Sequence, residues 1–168
     1  YGYTQLLAPT HIIGSIDDEW FEVDLQSTHE LRNVLDRNKG TRIPLIYPLT
    51  LSYRAFRDAD QREKIARRLQ DVPAEQLWLR IEGFGSGSTA AATRNFIEGV
   101  EDFRELDIPI VADYVGGLTG LALVSFSAVG GLAHGVTLLE RFESSHWKKE
   151  KTGAGFRAHP RVYLPKLD

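Results

Sequence analysis

Short apolar segments alternate with longer amphipathic segments along the chain. Six of the short runs have the length and composition of β-strands, namely residues 6–13, 20–25, 43–47, 76–82, 108–113 and 129–136. From the second run onward their centres lie roughly 22 to 34 residues apart, which is the spacing of β-α-β units. Because such a unit brings its two strands together in parallel, the pattern predicts a parallel sheet.

The segments between the strands predict four helices. The first follows Ser27 or Thr28, either of which can cap it, and ends at residues 38–40, where Asn-Lys-Gly is typical of a helix C-terminus. The others span residues 52–70, 89–106 and 118–128. The last is apolar on all sides, which predicts a buried helix, although residues 121–126 also fit a strand. Residues 144–168 are predicted to be a polar loop and a C-terminal segment.

This alternation predicts a single α/β domain over residues 1–168, built either as a closed barrel or as an open doubly wound sheet. Residues 76–82 alternate apolar and polar side chains, which favours the barrel, because a central strand of a doubly wound sheet is apolar on both faces. At the level of the fold, the chain resembles part of a (β/α)8 TIM-type barrel, which typically needs about 250 residues.

The chain begins at Tyr1 and contains no methionine, so we expect it to be an excerpt of a longer protein. An incomplete barrel exposes a strand edge, which is prone to association. We therefore expect the remaining parent chain, or a protein partner, to cover that edge.

The composition narrows the classes of function. The formal net charge is −3, without the basic excess that is typical of nucleic-acid binding. There is no cysteine, which excludes a disulfide scaffold and a thiolate zinc site. No apolar run approaches the roughly 20 residues of a membrane helix, and residues 1–15 do not follow a signal-peptide pattern. We therefore expect a cytoplasmic protein with neither a nucleic-acid nor a membrane partner.

Polar side chains recur where the predicted strands end, and both candidate folds bind ligands there. These positions are Asp24, Tyr47, Arg80, Glu82, Asp113 and His134. Glu82 and Asp113 end consecutive strands, and two neighbouring carboxylates can divide the roles of acid and base. The same two carboxylates, with Asp24 and His134, could instead bind a divalent metal through oxygen and nitrogen. A salt bridge between Glu82 and Arg80 is the structural alternative.

Two glycine-rich stretches are candidate anion-binding segments. Gly85 and Gly87 precede a predicted helix start, where backbone N–H groups can cradle an anion, although the stretch lacks the P-loop pattern. Gly130 and Gly131 form a second pair in the sixth predicted strand. A flexible connection and a bulge, respectively, are the structural alternatives. His11, near the end of the first predicted strand, is a weaker ligand candidate.

These positions predict an enzyme that acts on a small anionic metabolite by acid–base or metal-assisted chemistry. Glu82, Asp113, His134 and Tyr47 would be the catalytic groups, and Arg80 would anchor the anion. The reaction class is left open. The alternative is a non-catalytic scaffold or protein-binding domain of a larger protein, whose aromatic C-terminal residues form the contact surface.

Overall fold

The computed structural model describes residues 2–135 and 140–145. Six strands form one sheet: β1 (Leu6–Leu7), β2 (Ile12–Ile13), β3 (Leu45–Leu51), β4 (Gln76–Ile81), β5 (Ile110–Asp113) and β6 (Gly131–Ala133). The α-helices are α1 (Glu19–Arg37), α2 (Tyr53–Arg57), α3 (Ala59–Leu69), α4 (Ala90–Val100) and α5 (Gly117–Ser125), and a 3₁₀ helix (Glu101–Leu106) continues α4. The predicted α/β class is confirmed. None of the described helices is both long and apolar enough to cross a bilayer.

The strand order follows the chain. Across the sheet it is β1-β3-β4-β5-β6, and every described strand pair is parallel. β1 and β2 both pair with the same edge of β3, with Leu6 opposite Leu45 and Ile12 opposite Thr50. They are therefore two pieces of one interrupted edge strand.

A proline accounts for the interruption between β1 and β2. Pro48 lies inside β3, and its carbonyl accepts a hydrogen bond from Thr10 Oγ1 at 2.6 Å, so it faces the edge strand. Proline has no N–H to donate on that side, and the ladder cannot continue there. The edge strand leaves β3 after Ala8, whose N–H still donates to the carbonyl of Ile46 at 2.8 Å, and resumes at Ile12. As a result, His11 lies outside the ladder.

The helices pack on one face of the sheet. Alternate strand residues, including Leu49, Leu79 and Ala112, join a single apolar cluster, because successive side chains of a strand point to opposite faces. All five α-helices contribute to that cluster, for example through Phe21, Phe56, Ile65, Phe96 and Leu123. The intervening strand residues Ile46, Trp78 and Val111 lie outside it. This one-sided arrangement is compatible with part of a barrel and with part of a doubly wound sheet.

The strand predicted at residues 20–25 is wrong, because these residues belong to α1. Asp18 caps that helix, and its side chain accepts a hydrogen bond from the backbone N–H of Trp20 at 3.2 Å. The buried positions follow the helical period of three and four: Phe21, Asp24, Leu25 and Thr28. Trp20 and Val23 are exposed although they are apolar. Together with the buried apolar residues beside them, they give the segment the apolar run that is typical of a strand. Asp24 therefore lies on a helix and not at a strand end.

Other predicted boundaries also shift. β3 extends to Leu51, so Tyr47 lies in the middle of the strand. The helix predicted at 52–70 divides at Asp58, which caps α3. α5 is a helix as predicted, but it is only partly buried, because Leu118 is 84% exposed and Phe126, directly after the helix, is 70% exposed. Most of the predicted C-terminal segment, residues 146–168, lies outside the described residues.

Candidate functional site

A pocket of about 610 Å3 opens at the C-terminal ends of β2, β3 and β4. The parallel register sets its floor, because Ile12, Thr50 and Arg80 lie opposite one another on neighbouring strands. The residues that carry chemistry there are His11, Trp20, Ser52, Arg80, Glu82 and Ser144. This is the end of a parallel sheet at which ligands bind in both candidate folds.

A histidine–aspartate pair forms one wall of the pocket. His11 Nδ1 lies 2.6 Å from Asp24 Oδ1, and the backbone N–H of His11 donates to Asp24 Oδ2 at 2.7 Å. The Asp24 side chain is 1% exposed, whereas that of His11 is 47% exposed. Since a carboxylate only accepts hydrogen bonds, Nδ1 carries the proton of the neutral ring and Nε2 is left as a proton acceptor.

The His11 ring is also held by packing. It stacks on the indole of Trp20 with the ring centroids 4.3 Å apart. Asp24 and Trp20 both belong to α1, so one helix supplies the carboxylate and the aromatic ring that fix this imidazole. Such fixing by a second group is the arrangement by which enzymes orient a histidine for proton transfer.

Tyr47, a predicted catalytic residue, lies on the helix side of the sheet, inside the apolar cluster. Its side chain is buried, and its Oη has no hydrogen-bond partner among the described residues. Burial, followed by the negative charge of Asp24, raises the pKa of the Tyr47 phenol well above its ordinary value. The phenol therefore stays neutral and is kept from the pocket, a position that does not favour a catalytic role.

Arg80 pairs with Asp113 and not with Glu82, so the structural alternative of an Arg80–Glu82 salt bridge is not found among the described residues. Arg80 Nε donates to Asp113 Oδ2 at 2.9 Å, and Nη2 donates to the same oxygen. The guanidinium also lies over two aromatic rings, 4.6 Å from the centroid of Tyr114 and 5.2 Å from that of Phe142. Asp113 is only 6% exposed. The pair is thus a packed structural element beside the pocket.

The Glu82 side chain lines the pocket and is hydrogen-bonded to Ser144 instead of Arg80. Its Oε1 accepts a hydrogen bond from Ser144 Oγ, while Asp113 is bound to Arg80. The structure does not join Glu82 and Asp113 as the predicted carboxylate pair. The predicted metal candidates, Asp24 among them, are likewise engaged separately. Within residues 2–135 and 140–145, no three His, Asp or Glu side chains are placed to hold a metal ion together.

In the loop that contains Gly85 and Gly87, backbone N–H groups are already hydrogen-bonded to other residues of the chain. The backbone N–H groups of Gly83 and Ser86 donate to the carbonyls of Phe142 and Glu140, at 2.8 and 2.6 Å. The N–H of Gly85 donates to Ser88 Oγ at 3.0 Å. Donors that an anion would need are therefore already used, which does not favour the predicted cradle.

Gly85 is instead required by close packing. Its φ is +148°, and a Cβ there would meet the carbonyl oxygen of Glu140 and lie 2.8 Å from that of Tyr114. Gly87, at φ +77°, has open space around it.

Gly130 and Gly131 lie at the wrong end of the sheet for the predicted role. β6 begins at Gly131, and Gly130 lines a separate cavity beside Asp107 and Pro109, which precede β5. This is the N-terminal end of the strands, opposite the candidate site. His134 follows β6 at the correct end, but it is exposed, and its Nδ1 lies 3.0 Å from the carbonyl of Gly135. It does not line the pocket.

The chain matches no protein-family model, and a comparison with curated proteins finds no match. The site is therefore defined by its geometry. From the sequence alone, His11 is only a weak ligand candidate, and Trp20 has no predicted role. The sequence signal for Trp20 and Asp24 is the cap at Asp18, because a helix starting there brings these two residues onto neighbouring turns.

Proposed function

We propose that the chain is an acid–base enzyme domain whose site is the pocket at the ends of β2, β3 and β4. The observation that carries the proposal is the His11–Asp24 pair, in which a buried carboxylate holds Nδ1 and leaves Nε2 of a half-exposed ring beside the pocket. His11 would accept a proton from a bound substrate and return it. Asp24 would be its positioning residue.

The remaining roles follow from the contacts. Glu82 reaches the same pocket and is the second group able to exchange a proton or accept a hydrogen bond. Arg80 supports the pocket wall, since its charge is already matched by Asp113. Because Arg80 is already paired, the anionic substrate expected from the sequence would lack its main binding group. Of acid–base and metal-assisted chemistry, the geometry supports the acid–base form.

We further infer that the described units belong to a (β/α) barrel of the TIM type. Three features support this: neighbouring strands are consecutive along the chain, all helices pack on one face, and polar residues such as Arg80 occupy the other face. A doubly wound sheet reverses its strand order and carries helices on both faces. The lack of cysteine fits a reducing compartment such as the cytoplasm.

Two measurements test the catalytic proposal. The first is the tautomer of His11, read from long-range ¹H–¹⁵N correlations of the imidazole ring, where we expect a proton on Nδ1. The second is conversion of a pooled small-metabolite library followed by mass spectrometry. We expect His11→Asn to lower conversion by about 10²- to 10⁴-fold, with His29→Asn, on the exposed face of α1, as the matched control.

Conversion that survives in His11→Asn would refute the role of His11. A proton on Nε2, together with a wild-type protein that converts nothing in the library, would make the pair a structural link between the edge strand and α1.

The alternative function, a protein-binding module, is favoured by one specific observation. α5 and the residue that follows it expose four apolar side chains to solvent, with exposed fractions between 43% and 84%: Leu118, Leu121, Val124 and Phe126. A contiguous apolar face of this kind marks an interaction surface. In this second candidate function, α5 would pack against the remaining parent chain or a partner, and removal of its apolar side chains would abolish that association in sedimentation experiments with the longer protein.

A further inference from the structure

The charges around the pocket are unbalanced. Asp18 and Glu82 line it, and neither lies within ion-pair distance of a basic side chain in the described part of the chain. Arg80, the one lysine or arginine among the described residues of the lining, is paired with Asp113. Asp24, behind the wall, is bound to His11. Among the described residues around the pocket, Asp18 and Glu82 are therefore two carboxylates without a basic partner. A concave site lined by one sign of charge concentrates ligands of the opposite sign.

The carboxylate that matters most is Glu82. One of its oxygens accepts from Ser144 Oγ, and no other hydrogen bond to the Glu82 side chain is present among the described residues. Ser144 is itself buried, at 3% exposed, so this contact fixes the carboxylate rather than leaving it free in solvent. The second oxygen thus retains its capacity to accept from a ligand.

An aromatic ring stands at the same pocket. Trp20 is 47% exposed although it is a large apolar side chain, and one part of its surface is taken by the His11 ring. Tryptophan is the best of the aromatic partners for a cation placed over its face. A carboxylate and an exposed indole in one cavity are complementary to a positively charged nitrogen.

We propose that this pocket binds a small organic cation, a molecule with an ammonium or guanidinium group, which contacts Glu82 and Trp20 beside His11. The inference rests on the proposed function, since it names the substrate class of the same site. It replaces the anionic metabolite with a ligand of opposite charge.

The test is a series of three probes of nearly equal shape and different charge: benzylammonium, benzyl alcohol and benzoate. Binding is followed by ¹H–¹⁵N correlation spectra through the indole N–H of Trp20, which Trp20→Phe identifies. We expect benzylammonium to bind at least about tenfold more tightly than benzoate, with benzyl alcohol between them. Added salt should weaken the binding of benzylammonium and leave that of benzyl alcohol unchanged.

Glu82→Gln is the decisive variant, because glutamine keeps an oxygen that accepts from Ser144 and removes only the charge. We expect it to weaken benzylammonium binding about tenfold while the affinity for benzyl alcohol is retained. Glu98→Gln is the matched control, since it removes the same charge from exposed α4, on the helix side of the sheet.

Three results would overturn the inference: tighter binding of benzoate, an unchanged affinity for benzylammonium in Glu82→Gln, or no shift of the Trp20 signal by benzylammonium at about 10 mM. These results are distinct from failure of the proposed function. Preference for benzoate with conversion that still depends on His11 refutes the substrate class alone. Preference for benzylammonium with conversion independent of His11 refutes the acid–base role alone.

Discussion

Neutralising either of two carboxylates near the ends of neighbouring strands should have very different effects on stability. Asp113 is 6% exposed and accepts two hydrogen bonds from the Arg80 guanidinium, which is itself only 18% exposed. Asp113→Asn removes the charge and leaves that guanidinium, which packs against two aromatic rings, without its counter-ion. Breaking a buried ion pair in this way costs about 3 kcal/mol or somewhat more.

Glu82→Gln, in contrast, should leave stability nearly unchanged. The side chain is only partly buried, and an amide oxygen can still accept from Ser144 Oγ. We expect the change in the free energy of unfolding to stay within about 0.5 kcal/mol. In a chain of this length 1 kcal/mol corresponds to about 2–4 °C, so Asp113→Asn should lower the melting temperature by about 6–12 °C.

The assay is urea and thermal unfolding followed by far-ultraviolet circular dichroism, on wild type and both single variants. A double variant, Asp113→Leu with Arg80→Leu, completes a cycle with its own single variants and separates the pair energy from lost packing. An Asp113→Asn protein as stable as wild type, or an equal loss in Glu82→Gln, would refute the assignment of a structural ion pair and an independent pocket carboxylate.

The other predictions concern residues whose surroundings differ sharply from those of a matched neighbour. Tyr47→Phe should match or exceed wild-type stability by up to about 1 kcal/mol, because a buried hydroxyl without a partner is removed. The pKa of Tyr47 is raised in the folded chain, so the wild-type protein should lose stability as pH rises above about 10. The expected loss is up to about 1.4 kcal/mol per pH unit. Urea unfolding between pH 9 and 11 should show a smaller loss in Tyr47→Phe. Gly85→Ala should cost about 3 kcal/mol by overpacking, against about 1 kcal/mol for Gly87→Ala in open space, and equal losses in urea unfolding would contradict the close approach. On α5, Leu123→Ala should cost about 3 kcal/mol, whereas Leu118→Ser should cost less than about 0.5 kcal/mol, and a large loss in the latter would mean that its side chain is covered.

The sequence predicts the sheet well because the strands β3 to β6 leave strong local signals. Each is a short apolar run bounded by turn residues, and the intervening helices are capped as expected, for example by Thr89 before α4. Parallel pairing and the location of ligand sites then follow from general rules about β-α-β units. Neither inference requires knowledge of which side chains are in contact.

The chemistry of the site depends on contacts that local patterns do not contain. His11 and Asp24 meet only because Pro48 interrupts the edge strand and because residues 20–25 are helical. The choice of Asp113 over Glu82 as the partner of Arg80 depends on register: Arg80 pairs with Thr50 on one side and falls opposite Asp113 on the other.

The consecutive strand order has a consequence for how the chain acquires its structure. If β1 and β2 are counted as one interrupted edge strand, each strand pairs with the one that directly precedes or follows it. Most of the sheet is therefore assembled from contacts that span a single β-α unit. Short loops close at a smaller entropic cost than long ones, and such topologies fold comparatively quickly. During synthesis, β3 and β4 can pair before β5 has left the ribosome, and each added strand covers the edge that the previous one exposed. On the growing side of the nascent sheet, only the edge of the most recently added strand is then open to association with another chain, and only until the next strand pairs with it.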